Sequence, residues 1–469
     1  MSIRVGNGAG FWGDDVDAPV RLARDGDLDF LTLEYLAELT TAILAHRRAK
    51  DPDAGFVTDF PEVIKRISNF LVEQPRLKIV TNAGGLNPLA CVRNVGSILV
   101  ESGLGRTSIA VVAGDDLLKN VPEWIQAKID LVNMDTGESI VPYADRLIAF
   151  NAYLGAKPIA RAIGEGARIV ITGRVADASL TLGPAVASFG WGWDEYDLLA
   201  AASTAGHVIE CGAQATGGLW SDWDAIPDSA SIGYPIALLD RDGSCVIAKP
   251  ERSGGMVTAG TIAEQLVYEI DDPSRYRTPD VDVDLTHVEL DQVDQNRVRI
   301  RGAKGNSPSD FLKVSAVYRD GWTASGLVAV VGRGAVKKAR AAGELVVERV
   351  RRAGYSLAQS RVEVIGAGDV VPGVLNHLID RDPVEVMLRV TARDPSKEAI
   401  ERFCRSIAPL VTSGPPGIAG YATGRPRAIP AFGYAPVLIP RELVAPKLEI
   451  RTATEWEKTN ASLEYNGIS

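Results

Sequence analysis

Five short apolar runs, at residues 3–5, 28–33, 77–80, 108–112 and 169–171, lie between longer amphipathic stretches. None alternates with polar residues as a half-solvated strand does, so each reads as a strand buried on both sides. Helical stretches such as 60–72 and 147–163 lie between them. The alternation predicts a parallel sheet with helices on both faces.

The residues just beyond each run narrow the reading further. Residues 3–5 lead into Gly6, Asn7, Gly8, Ala9 and Gly10, and 28–33 ends at Glu34. Residues 77–80 open onto Thr81, Asn82, Ala83, Gly84, Gly85, Leu86 and Asn87. Residues 108–112 precede Gly114, Asp115 and Asp116, and 169–171 precede Thr172, Gly173, Arg174 and Asp177. Glycines and polar groups thus collect at the carboxyl end of every strand, the edge where loops and helix amino termini of a parallel sheet receive ligands.

Beyond about residue 230 the texture changes. Residues 234–239 and 245–249 flank Asp240, Arg241, Asp242 and Gly243, a hairpin signal. Alternating segments then suggest an antiparallel layer. The expected organisation is an α/β domain over 1–275 with the cleft, a smaller α+β domain over 280–445, and a tail over 446–469.

Composition removes several classes. A net charge of −10 argues against a general nucleic-acid binder. No apolar run approaches the roughly 18–20 residues of a spanning helix, and no basic-then-apolar leader opens the chain, so no membrane role and a cytoplasmic location are expected. The four cysteines, Cys91, Cys211, Cys245 and Cys404, form no CxxC pair and fit a reduced compartment.

Gly8, Gly10 and Gly13 match GxGxxG after a strand, with Glu34 ending the next one. Bulky Phe11 and Trp12 crowd that turn, and Asp14, Asp15 and Asp17 would repel a pyrophosphate at the helix start. A tight turn presenting carboxylates to the cleft is the better reading. The loop with Asn82, Gly84, Gly85 and Asn87 is either an anion cradle of amides and backbone N–H groups or a plain strand-to-helix connection. Arg174 is a candidate carboxylate clamp, and Asp177 either an acid–base group or a helix cap paired with it.

The densest constellation is 207–218, HVIECGAQATGG. His207 and Glu210 stand three apart and would share a helix face, as an acid–base pair or as metal ligands. Cys211 is a candidate nucleophile if His207 lowers its pKa, and otherwise small core packing. Gln214 is a candidate substrate contact. No second histidine completes a zinc pattern; a divalent metal joined by Asp177, or by Asp14 and Asp15, stays open. The loop from Lys249 to Thr258 and the pair Arg425 and Arg427 are further possible anion contacts. The other histidines, His46, His287 and His377, stand apart from reactive groups.

Segments 6–35, 81–91, 172–184, 207–223, 249–268 and 420–430 resemble the signature stretches of the acyclic terpene utilisation (AtuA) family, above all GNGAGFWGDD and HVIECGAQATGG. The resemblance runs from about residue 3 to about residue 440. It implies catabolism of branched or unsaturated carboxylic acids, often as coenzyme A esters. It also implies that a small ferredoxin-like module, fused in some relatives, comes here as a separate subunit.

These residues suit a hydratase or dehydratase, with His207, Glu210 and Asp177 as acid–base groups. Arg174, Asn82 and the Gly84–Gly85 backbone would hold the anion. The alternatives are a hydrolase or acyl transferase using Cys211, and a non-catalytic subunit that binds a small partner. A homo-oligomer is expected, and the residues name no cofactor.

Overall fold

The computed structural model describes residues 2–374 and 383–459, so His377 lies outside the described residues. Six strands come first in chain order: β1 (Ser2–Asn7), β2 (Phe30–Leu33), β3 (Lys78–Thr81), β4 (Ser108–Ala113), β5 (Leu147–Ala152) and β6 (Ile169–Thr172). β1, β2, β3, β6 and β4 lie side by side in that order, all parallel, with Val5 opposite Phe30, Leu31 opposite Ile79, and Ile169 opposite both Ile79 and Ile109. Every residue of β2 and β6 is buried, as the runs without alternation require.

Antiparallel strands extend the sheet on both sides. The hairpin β7 (Ile236–Asp240) and β8 (Cys245–Ala248) pairs with β1 through Ile3 and Leu239, and its turn is closed by Gly243 at φ +84°. After β9 (Tyr276–Arg277) and β10 (Asp282–Asp284), a second hairpin of β11 (Glu289–Asp294) and β12 (Arg297–Arg301) adds to β8. β13 (Lys304–Asn306) joins β10 and β9 in a separate small sheet. The large sheet is therefore mixed, with a parallel centre, rather than parallel throughout.

Helices cover the centre in two rows. Ala18–Asp25 packs on Asp59–Glu73, which packs on Pro88–Glu101; Lys157–Gly164, Ser179–Phe189, Tyr196–Glu210 and Ala259–Val267 pack in sequence. Residues 147–152, read as the start of a helix, are the strand β5. Leu147, Ile148, Ala149 and Phe150 are an apolar run whose periodicity alone does not separate strand from helix.

The chain divides into two compact units, 1–317 with 434–469, and 318–433. The first therefore reclaims 280–317, placed in the second domain from sequence: the β11–β12 hairpin that begins there completes the large sheet. The dividing points fall within two long strands, β14 (Phe311–Val331) and, after β15 (Gln359–Ile365), β16 (Glu385–Asp394) and β17 (Ile418–Tyr421), within β18 (Ile429–Pro440). The second unit orders its sheet β15-β16-β14-β17. Val386, Leu388, Val390 and Ala392 alternate inward and form a core with Val346 and Val350 of one helix and Ile400 and Phe403 of another.

Residues 446–469, expected as a tail, are built into the first unit as far as they are described. β19 (Lys447–Thr452) pairs antiparallel with β4, Leu448 opposite Val112. The short helix Ala453–Glu457 is started by a capping box between Thr452 and Glu455. It buries Trp456 completely, with the indole N–H donating to the Ile109 carbonyl at 2.9 Å. No helix among the described residues is long and apolar enough to cross a membrane. Trp456→Ala is expected to cost about 3–5 kcal/mol in urea unfolding of the first unit; a loss under about 0.5 kcal/mol, typical of a surface change, would mark the segment as a dispensable tail.

Candidate functional site

The carboxyl ends of the parallel strands carry the site, and Asp115, just beyond β4, sets its first element. The carboxylate is buried and accepts the Arg174 backbone N–H and an Asn151 amide hydrogen, each at 2.8 Å. Gly173 makes this possible, since a Cβ there would stand 2.3 Å from Asp115 Oδ1. Burial pushes the Asp115 pKa up to about 6.

Arg174 is thereby fixed after β6 with its guanidinium inside the protein, only 4% exposed. Its Nη2 donates to Asp177 Oδ1 at 3.1 Å, and the group lies 4.0 Å from the centroid of the Tyr153 ring. Nε and Nη1 have no hydrogen-bond partner. Burial opposes the charge, but Asp177, Tyr153, Glu34 and Glu38 hold Arg174 firmly protonated. Asp177 faces the cavity, 32% exposed to it. The surrounding protein still desolvates Asp177 enough to lift its pKa to about 7 against the pull of Arg174, with Glu210 and Glu38 adding to the rise.

The helix Tyr196–Glu210 supplies the opposite wall. Its last carbonyls are gripped by Asn7 at the end of β1, whose amide donates to Ile209 and Glu210 at 2.8 Å and to Ala9 at 2.9 Å. Thr32 Oγ1 donates to Asn7 Oδ1 and fixes that amide. Gly10 packs on the same turn: a Cβ there would stand 2.8 Å from the Cys211 carbonyl carbon. Asp14 closes the loop by accepting the Gly10 N–H at 2.8 Å and the Tyr234 hydroxyl at 2.6 Å. Gly8 and Gly10 therefore serve close packing, and Asp14 is the carboxylate that the turn brings to the cleft.

His207 and Glu210 share a helix face, 3.0 Å apart between Nδ1 and Oε1, while His207 Nε2 lies 3.2 Å from the Leu266 carbonyl. A carbonyl only accepts, so Nε2 carries a hydrogen. Burial disfavours a charged ring, but Glu210 and the Leu266 carbonyl outweigh it and raise the His207 pKa. Both contacts favour the protonated form of the ring. Glu210 is the group it presents, and Glu210 Oε2 is buried without a partner. Of the expected acid–base groups His207, Glu210 and Asp177, His207 is the one whose ring nitrogens both have partners.

For Cys211, read as a nucleophile only if His207 lowers its pKa, that condition is absent from the geometry. Burial and the neighbouring Glu210 charge push the thiol well above its ordinary value, and His207 faces Glu210 instead. Gln214 does reach the cavity, with its Oε1 unpartnered.

The loop after β3 is committed elsewhere. Asn82 accepts the Tyr35 N–H at 2.9 Å and donates to Glu34, whose other oxygen accepts the Leu36 N–H. Gly85 N–H donates to the Asn82 carbonyl, and a Cβ on Gly84 would stand 2.5 Å from the Thr172 carbonyl. Asn87 caps the following helix and donates to Pro52 and Ala54. Asn82, Gly84, Gly85 and Asn87 therefore hold the sheet edge together and are not among the residues that line the two cavities that meet there. Lys249 likewise turns inward, donating to the Ser253 carbonyl at 2.7 Å.

Two cavities meet at this edge. The larger, about 530 Å³, is lined by Glu34, Glu38, Arg174, Asp177, Glu210 and Gln214 among others. The smaller, about 220 Å³, shares Tyr153, Asp177, Glu210, Glu269 and Lys313 with it. Glu34 is raised well above the carboxylate range by burial and by the Asp177 charge. Crowded carboxylates around one guanidinium share protons, so the cavity holds both proton donors and acceptors near neutral pH. Sequence reasoning missed Glu38, Tyr153 and Lys313. Tyr153 donates to Glu38 at 2.9 Å and lies 4.9 Å from the Lys313 ammonium, but the three come from separate elements. No group of three or more His, Cys, Asp or Glu side chains among the described residues is placed to hold a metal ion.

The raised pKa of His207 has a measurable signature. Because its folded pKa is raised, its contribution to stability is full below about pH 6.5 and fades as the pH rises through the raised value. His207→Gln should therefore cost on the order of 3–5 kcal/mol at low pH, with the gap to wild type narrowing as pH climbs in urea unfolding. A gap independent of pH would mean that His207 is neutral.

No curated protein and no solved structure matches the chain. The sequence profile of the acyclic terpene utilisation family protein AtuA matches residues 3–450, which takes in every side chain of the site. The chain belongs to the acyclic terpene utilisation (AtuA) family.

Proposed function

We propose that the protein is a lyase of the hydratase/dehydratase type acting on an unsaturated or hydroxylated carboxylic acid or its thioester. Family membership suggests a role in acyclic terpene utilisation. The reaction class rests on one observation: the larger cavity sets a buried cation with two vacant donors beside a carboxyl of raised pKa and a carboxylate oxygen without a partner.

In the hydration direction, Glu210 Oε2 takes a proton from water as the water oxygen bonds to the β-carbon. The π electrons move to the substrate carboxylate or thioester oxygen. Arg174 Nε or Nη1 stabilises that enolate-like charge, which develops where water is excluded and a fixed donor is most effective. Protonated Asp177 then delivers its proton to the α-carbon, and exchange with solvent resets the two carboxyls. His207 orients Glu210 and balances its charge.

The Cys211 alternative loses support because the thiol is held neutral and lacks a base.

Hydration of a panel of unsaturated acids and their coenzyme A esters tests the proposal. Glu210→Gln and Asp177→Asn should each lower the rate roughly 10²–10⁴-fold, whereas Cys211→Ala should retain it. Because Asp177 acts in its protonated form, activity should fall as pH rises through about 7, and Asp177→Asn should remove that limb. Full activity in both carboxyl variants would overturn the assignment.

A further inference from the structure

The smaller cavity has a different character from the larger one. Beyond the shared wall of Asp177 and Glu210 its lining is mainly apolar, with Ile270, Phe311, Leu312, Leu438 and Met134, and Arg277, Thr278 and Ser309 add polar groups. Phe311 and Met134 are 48% and 44% exposed, although each is large and apolar. Tyr276 closes one side with its ring 5.2 Å from that of His207, and it is buried to the point that its hydroxyl is held well above its ordinary pKa. Apolar side chains turned toward water around a recess leave a surface that is stabilised when an apolar group fills it.

The recess opens from the carboxyl groups themselves, through the residues both cavities share. A molecule with its head on Arg174 and its reacting carbons between Asp177 and Glu210 meets this apolar space beyond those carbons. We propose that the chamber is a tail subsite, selecting acids that carry an unbranched or branched hydrocarbon chain, with Phe311, Met134 and Leu438 setting the length it accepts. The inference rests on the proposed head site for its orientation, not for the chamber's own affinity. At about 30 Å³ per carbon-sized group, close to the volume of a water molecule in the liquid, 220 Å³ holds roughly seven carbons. Longer chains must leave their end in solvent.

Binding of butyrate, hexanoate, octanoate and decanoate, together with the matching primary alcohols, separates tail from head. Affinity in calorimetry should rise roughly fourfold per added methylene and then level off as the chamber fills. The alcohols should follow the same slope from a weaker start. Met134→Trp, which adds bulk at an exposed position, should move the plateau to a shorter chain while leaving the thermal midpoint unchanged. Arg174→Leu should erase the advantage of acids over alcohols and keep the slope. An alcohol series without any rise, or a plateau unmoved by Met134→Trp, overturns the tail subsite. Acids no better than alcohols in the wild type overturn the head site instead and leave the slope as the reading of the chamber.

Discussion

A guanidinium buried in protein with only one of its three nitrogens hydrogen-bonded is the constraint on which the site depends. Arg174 sits where leaving charged donors unmade is costly, more so than for neutral groups. The surroundings answer with negative charge from every side: Asp177 in contact, Glu34 and Glu38 near, and Asp115 on the backbone N–H. Burial, reinforced by the neighbouring carboxylates, pushes Asp177 and Glu34 upward while the arginine keeps its charge. Under the proposed function, an anionic head would supply acceptors to Arg174 Nε and Nη1.

The same logic accounts for the helix Tyr196–Glu210. Its carboxyl end is pinned to β1 by Asn7 and packed against Gly10, so Glu210 is delivered to the cavity by rigid elements rather than by a loop. His207 holds one oxygen of Glu210 from within the helix, its second nitrogen tied to Leu266. A carboxylate held on one oxygen and open on the other is ready to accept a proton without first reorganising. The packing that makes the fold and the placing of Glu210, the proposed acid–base group, are one set of contacts.

Much of this is visible in the sequence because it depends on local pattern. Buried strands give apolar runs whose carboxyl ends lead to the edge that carries Arg174 and Asp177, whereas His207 and Glu210 stand out by the density of reactive groups in HVIECGAQATGG. The remainder is set by tertiary neighbours. The direction of a side chain decides that Asn82 serves Glu34 and Tyr35, and that the His207 ring is spent on Leu266. The Leu266 carbonyl lies 59 positions away in the chain. Glu38, Tyr153 and Lys313 carry no motif because each comes from a different element. The strand at 147–152 and the edge strand after Ala445 escape a reading of the sequence for a similar reason: a short apolar run, or a mixed one, takes its identity from the partner it pairs with.

Where a bound acid places its oxygens decides whether this cavity is the reaction site. A crystal structure of the protein soaked with an α,β-unsaturated carboxylic acid reads that directly. It should show a carboxylate oxygen within about 3 Å of Arg174 Nε or Nη1, with the double bond between Asp177 and Glu210 and any hydrocarbon chain directed toward Phe311. An acid bound elsewhere on the molecule, with Arg174 left as it stands, would contradict the assignment of this cavity as the reaction site.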